Sequence, residues 1–77
     1  MAELEQILKL DTAAIEALNY ESARELLDEV VTALDDSSLP LGSLMKLWET
    51  GELIAKVCQK HLQEAATKLD DFPEANQ

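Results

Sequence analysis

The sequence predicts an all-α fold: an antiparallel two-helix coiled-coil hairpin, preceded by an N-terminal extension (residues 1–19) that is either helical or frayed. The chain has 77 residues with only two glycines and two prolines. Apolar residues recur at helical spacing in two long segments, and no segment shows the alternation of a half-buried strand. A chain of this size has room for one small core, so we expect a partner to supply part of its stability.

The first long segment, residues 20–36, is predicted to be a helix with a coiled-coil seam. Its apolar residues are spaced three, four, three and four positions apart. Asn19 is a suitable N-cap residue for this helix. The seam residues are Tyr20, Ala23, Leu27, Val30 and Leu34.

The second predicted helix spans residues 41–71 and continues the same repeat for about four heptads. Residues 37–40 form the turn, because Pro40 suits the first turn of a new helix and a connection this short makes the two helices antiparallel neighbours. Residues 73–77 are predicted to be a disordered tail, which leaves 20–72 as the hairpin. The seam residues are Leu44, Trp48, Gly51, Ala55, Cys58, Leu62, Ala65, Leu69 and Phe72.

The N-terminal extension is out of phase with the helix that follows it. The segment is either a separate helix that packs elsewhere or a frayed extension ordered by another chain. Because an α-helix rises 1.5 Å per residue, the second helix would run roughly 45 Å and the first only about 25 Å. The extension or a second protomer therefore has to cover the far half of the second helix.

Gly51 lies in this seam although glycine costs about 1 kcal/mol relative to alanine in a helix. The antiparallel register is expected to place Leu27 near Gly51 and Val30 near Trp48. Gly51 then either makes room for the indole of Trp48 or leaves a notch for a side chain of another subunit. The residues predicted to pack the hairpin are Tyr20, Leu27, Val30, Leu34, Leu44, Trp48, Gly51, Ala55, Cys58 and Leu62.

One side of the predicted hairpin is apolar where coiled coils usually carry charges, and we expect it to bind a helix of another protein. The alternative is that the N-terminal extension folds back and covers it as a third helix. If the stripe is exposed, Ile54→Asp should leave the isolated chain helical and abolish partner binding. The predicted partner-binding residues are Leu26, Ala33, Leu47, Ile54 and Val57.

The composition argues against catalysis and against direct binding of nucleic acid. The net charge of -10 repels phosphate, and His61 and Cys58 are single residues of their types. A metal triad or a His-paired nucleophile cannot be built from them, so no catalytic residue, metal or cofactor is expected. The pairs Asp35–Asp36 and Asp70–Asp71 are interpreted as solvated helix ends.

The hydropathy pattern predicts a soluble, cytoplasmic protein with no membrane contact. No apolar run approaches the roughly 18 residues needed to cross a bilayer. The N-terminal residues "MAELEQILKL" carry acids where a signal peptide needs bases.

The order of several short motifs resembles the small-subunit family of exodeoxyribonuclease VII. The match covers about residues 20–69 and departs from the family pattern at Gly42–Ser43 and Ala66, where acids are usual. The matching elements are Tyr20–Glu21, the Leu/Val helix from Leu27 to Leu34, Leu39–Pro40–Leu41, Trp48–Glu49–Thr50–Gly51, and Cys58, Leu62 and Ala65.

This resemblance implies a non-catalytic helical hairpin that binds a long helical part of the large catalytic subunit, in several copies per large subunit. The holoenzyme would degrade single-stranded DNA to short oligonucleotides, with nuclease chemistry and DNA contacts on the large subunit. One alternative is a self-associating coiled-coil adaptor with no nuclease role, since an apolar stripe can also pair with a second copy. A weaker one is an acidic mimic of DNA.

Overall fold

The computed structural model describes residues 4–36 and 38–70 and confirms the all-α fold class. All regular structure in these residues is helical, and a short helix pair precedes a long hairpin. The described part of the chain is elongated, with extents of 54 × 23 × 20 Å. The helices are α1 (Leu4–Leu8), α2 (Thr12–Glu16), α3 (Tyr20–Leu34) and α4 (Leu41–Asp70).

α3 begins at its predicted cap. The backbone N–H of Ser22 donates to Oδ1 of Asn19 at 2.8 Å, which satisfies one of the free donors of the first turn. The helix ends at Leu34, two residues before the predicted boundary, and Asp35 is its C-cap. α3 thus begins directly at the end of the N-terminal extension.

α4 follows directly after Pro40 and continues without interruption for 30 residues. The Pro40 carbonyl accepts a hydrogen bond from the N–H of Leu44 at 3.0 Å, so the proline sits where its missing N–H is not needed. Phe72 and the predicted tail, residues 73–77, lie outside the described residues. At 1.5 Å per residue α4 is about 45 Å long, roughly twice the length of α3.

Residues 4–18, here called the N-terminal segment, form a cover on α4. Both α1 and α2 pack against α4, and Asp11 caps α2 by accepting from the N–H of Ala14 at 2.8 Å. Helices of five residues are not stable alone, so packing must hold them in place. Their anchors are Ile7 and Ile15, which are almost fully buried.

The core lies where α3 and the N-terminal segment meet α4. α3 contributes Ala23 and Val30, both fully buried. No helix among the described residues is long and apolar enough to cross a membrane. The buried residues of α4 are Leu47, Gly51, Ile54, Val57 and Cys58.

Candidate docking surface

The stripe predicted to be exposed for partner binding is largely inside the core. Leu47 and Ile54 are fully buried and Val57 is nearly so, while Leu26 and Ala33 of α3 are half-buried against the same cluster. The expectation of an open apolar stripe at these five residues is therefore corrected. Their role in binding a partner is a separate question, because a partner could reach the buried ones only if the covering residues moved.

The N-terminal segment is the physical reason for this burial. Ile7 and Ile15 belong to the same hydrophobic cluster as Ile54 and Val57. Of the two states considered for the extension, the structure has the folded one, with two short helices in place of the single third helix. Ile54→Asp is consequently no longer a mild surface change, since it would place a carboxylate among buried aliphatic side chains.

A hydrogen bond fastens the end of the N-terminal segment to α4. Nε2 of His61 lies 2.9 Å from the carbonyl oxygen of Leu18, so the imidazole must carry its proton on Nε2 to donate this bond. Nδ1 of His61 is 3.9 Å from a carboxylate oxygen of Glu64, which is too long for a hydrogen bond. The single histidine thus links two parts of the chain 43 residues apart.

The residues predicted to pack the hairpin fall into three groups. Val30, Gly51 and Cys58 are buried, as a seam requires. The expectation that Trp48, Ala55 and Leu62 also lie in the seam is wrong, because all three are exposed. The half-buried residues are Tyr20, Leu27, Leu34 and Leu44.

The buried face of α4 is rotated about its axis relative to the prediction. Gly51 and Cys58 keep their places, but Leu47 and Ile54 take the positions expected of Trp48 and Ala55. Each replacement is the preceding residue in the chain, which lies about 100° around the helix; because Gly51 and Cys58 stay buried, the face as a whole turns by about half of that angle. The N-terminal segment packs against the side of α4 that holds Leu47 and Ile54, and for this reason that side is buried.

Gly51 is explained by Val30 rather than by Trp48. A Cβ atom on Gly51 would lie 3.1 Å from Cγ1 of Val30, tighter than nine in ten real contacts of this kind. The helices approach closely here because one of them has no side chain. The register places Val30, rather than Leu27, opposite Gly51, and the indole of Trp48 is 59% exposed.

An exposed apolar row runs along α4 on the side left open by this rotation. Its five members are each seven residues apart, and the four large ones are 54–72% exposed. Sequence reasoning treated most of these positions as internal seam, although their spacing was visible. We call this feature the heptad row: Leu41, Trp48, Ala55, Leu62 and Leu69.

A cleft of about 320 Å³ lies between α2 and α4, but its chemistry is mixed. Lys56 and Lys60 face it together with Glu16 and Glu64, so neither sign of charge dominates. Among residues 4–36 and 38–70, no three His, Cys, Asp or Glu side chains converge as a metal site would require.

The paired aspartates at the end of α3 have local structural roles. Asp35 is the C-cap, and Oδ1 of Asp36 accepts hydrogen bonds from the hydroxyl of Ser38 at 2.6 Å and from its backbone N–H at 3.0 Å. These two bonds lower the pKa of Asp36, the hydroxyl having the larger effect. Asp70 is an exposed residue at the end of α4, and Asp71 lies outside the described residues.

Comparison with known proteins points to one family. The family model of the exonuclease VII small subunit matches residues 20–71, which contain all of α3, the turn and α4. The exodeoxyribonuclease 7 small subunit of Mycobacterium leprae is 41% identical over 68 residues, covering 88% of this chain and 87% of that protein. The match must include part of residues 1–19, because only 58 residues follow them.

Two further relatives have the same description. The exodeoxyribonuclease 7 small subunit of Mycobacterium marinum is 44% identical over 57 residues, 74% of this chain and 70% of that protein. That of Mycobacterium tuberculosis is 40% identical over 60 residues, 78% of this chain and 71% of that protein. No solved structure gives a significant match. The resemblance seen in the short motifs is thus confirmed, and the chain belongs to the exonuclease VII small-subunit family.

Proposed function

We propose that this chain is the non-catalytic small subunit of an exodeoxyribonuclease VII, and that it binds the large catalytic subunit by helix packing. In this role it supports degradation of single-stranded DNA to oligonucleotides, while nuclease chemistry and DNA contacts belong to the large subunit. The observation that carries the proposal is the family match over residues 20–71, because it extends over the complete hairpin.

The charge and the surface of the chain support this division of labour. With 16 acidic and six basic residues, the chain would repel a DNA strand rather than hold it. The heptad row offers instead a long apolar surface, and contiguous exposed apolar surface marks sites of association.

The test is to co-express the tagged chain with the large subunit encoded in the same genome, purify on the tag, and assay the eluate on single-stranded DNA. The expected result is a complex that releases oligonucleotides, with more activity than an equal amount of large subunit alone. The proposal would be overturned if the two proteins purify separately, or if the large subunit is equally active without this chain.

A self-associating coiled-coil adaptor is the second candidate, and the heptad row is the observation in its favour. Apolar residues at a seven-residue spacing can pair with the same row of a second copy. Sedimentation equilibrium of the isolated chain, alone and with the large subunit, separates the two candidates. A dimer that ignores the large subunit would favour the adaptor.

A further inference from the structure

The heptad row is an unpartnered surface with a defined geometry. Leu41 and Leu69 are its ends, and the 28 intervening steps at 1.5 Å make it about 42 Å long. α3 packs on α4 around Gly51 and the N-terminal segment around Ile54, so neither element buries the row. The row therefore forms a third side of α4, next to the side packed against α3 and the side packed against the N-terminal segment.

The seven-residue spacing indicates what kind of structure fits this side. Residues that recur every seven positions stay on one line only when two helices supercoil around each other, since a straight helix drifts by about 20° per heptad. A strand or a loop has no reason to match this period. The length requires an occupant of about the same length as α4, since α3 would cover only half of the row.

The charges beside the row indicate the sign of the occupant. The exposed charged side chains beside the row are three acids, Glu49, Glu52 and Asp70, and two bases, Lys56 and Lys68, so acids are in excess. A second copy would bring the same excess of acids and another net charge of -10 against this surface. A helix with lysines or arginines beside its apolar seam would instead be attracted.

From these observations we infer that the heptad row is the docking site for a long, basic amphipathic helix of the large subunit, which packs along α4 from Leu41 to Leu69. This inference rests on the proposed function for the identity of the partner. The inference places the contact with the large subunit on the exposed face of α4. The face under the N-terminal segment then belongs to the internal core of this chain.

The first part of the test adds a carboxylate to the row and to a matched position off the row. Leu62→Asp and Trp48→Asp change exposed residues, so the isolated variants should keep the helical circular dichroism of the wild type. Thr67→Asp adds the same charge on the same exposed stretch of α4, on its opposite side. Binding of each variant to the large subunit is measured in the co-expressed complex and by titration of the purified proteins.

We expect each row variant to weaken binding by at least about tenfold, as for a central apolar contact, and Thr67→Asp to bind like the wild type. Wild-type affinity in both row variants would overturn the inference while leaving the proposed function standing. Equal loss in Thr67→Asp would overturn it too, because the effect would not follow the row. Failure of the wild type to bind would overturn both the inference and the proposed function.

The second part tests the charge and the competing occupant. Replacing both Glu49 and Glu52 with lysine should lower the affinity for the large subunit and flatten its dependence on salt concentration. Tighter binding by this variant would contradict a basic occupant. A wild-type homodimer that Leu62→Asp dissociates, with binding to the large subunit unchanged, would assign the row to a second copy and overturn the inference.

Discussion

Val30 and Gly51 meet at a close approach of the two helices of the hairpin, with 3.1 Å between Cγ1 of Val30 and the position that a Cβ on residue 51 would occupy. The contact explains why glycine, a poor helix former, occupies position 51 inside a 30-residue helix. An alanine there would gain about 1 kcal/mol in helix propensity but would press on the valine.

We therefore predict strong coupling between these two positions. Gly51→Ala alone should change the free energy of unfolding by less than about 1 kcal/mol, because the two effects oppose each other. Val30→Ala should cost about 2 kcal/mol, from two lost methyl groups and the resulting cavity. In the Val30→Ala background Gly51→Ala should become stabilising by about 1 kcal/mol, since the opposing side chain is gone.

Urea unfolding of the four proteins in this cycle measures the coupling. Gly42→Ala is the matched control, because a Cβ on Gly42 meets nothing within 4 Å and should not interact with Val30. Additive effects of the changes at residues 30 and 51 would show that the close approach is not what selects glycine.

Two neighbouring residues of α4 should tolerate an added carboxylate to very different degrees. Ile54→Asp should destabilise the isolated chain by at least about 3 kcal/mol, because a carboxylate would replace a fully buried side chain. Ala55→Asp, at an exposed position, should cost less than about 1 kcal/mol. Thermal unfolding followed by circular dichroism compares them, and a stable, helical Ile54→Asp would mean that the N-terminal segment does not cover this side.

The bond from His61 to the Leu18 carbonyl should control how firmly the N-terminal segment is held. His61→Ala removes the donor, and a typical hydrogen bond contributes about 1 kcal/mol, so amide hydrogens of α2 should exchange roughly fivefold faster. Hydrogen exchange read by NMR gives this rate for each residue. Glu64→Gln is the control and should leave α2 unchanged, since its oxygen is 3.9 Å from the imidazole.

Ser38→Ala should raise the pKa of Asp36 toward the ordinary aspartate range. It removes the hydroxyl, which has the larger effect, and keeps the backbone N–H, so the recovery should be incomplete. Because the folded-state pKa lies below the unfolded one, the interaction stabilises the fold above the unfolded pKa. That contribution disappears as the pH falls through the folded-state pKa.

Carboxyl ¹³C chemical shifts recorded across the acidic range follow Asp36 directly. Ser38→Thr keeps a hydroxyl and should keep the low pKa. An unchanged titration in Ser38→Ala would show that the hydroxyl does not bond to this carboxylate in solution.

The sequence was sufficient for the two long helices but not for the rotation of α4. Seam spacing and the Asn19 cap correctly indicated the hairpin, because both are local properties of the chain. On α4, however, Leu47 and Ile54 compete for burial with their neighbours Trp48 and Ala55, and both pairs are apolar. Local spacing cannot choose between them, since the choice depends on where a distant segment packs.

The candidate surface was missed for the same reason. Once Ile7 and Ile15 bury one side of α4, the neighbouring apolar positions of the heptad row are left exposed. The two anchors belong to helices of five residues, too short for their pattern to indicate a packing direction. The seven-residue spacing of the heptad row is nevertheless visible in the sequence, although its exposure is not.

Every residue of α4 from Leu62 to Asp70 is exposed, and none of them belongs to the hydrophobic cluster. Helical turns with few tertiary contacts are only marginally stable, so this end of α4 should unfold and refold far more often than the rest of the hairpin. A partner that binds only the folded form of these turns must supply the free energy that keeps them folded. If the large subunit docks along the heptad row as proposed, folding and binding are thermodynamically linked there, and the helicity of these last turns would measure how much of the chain is in complex.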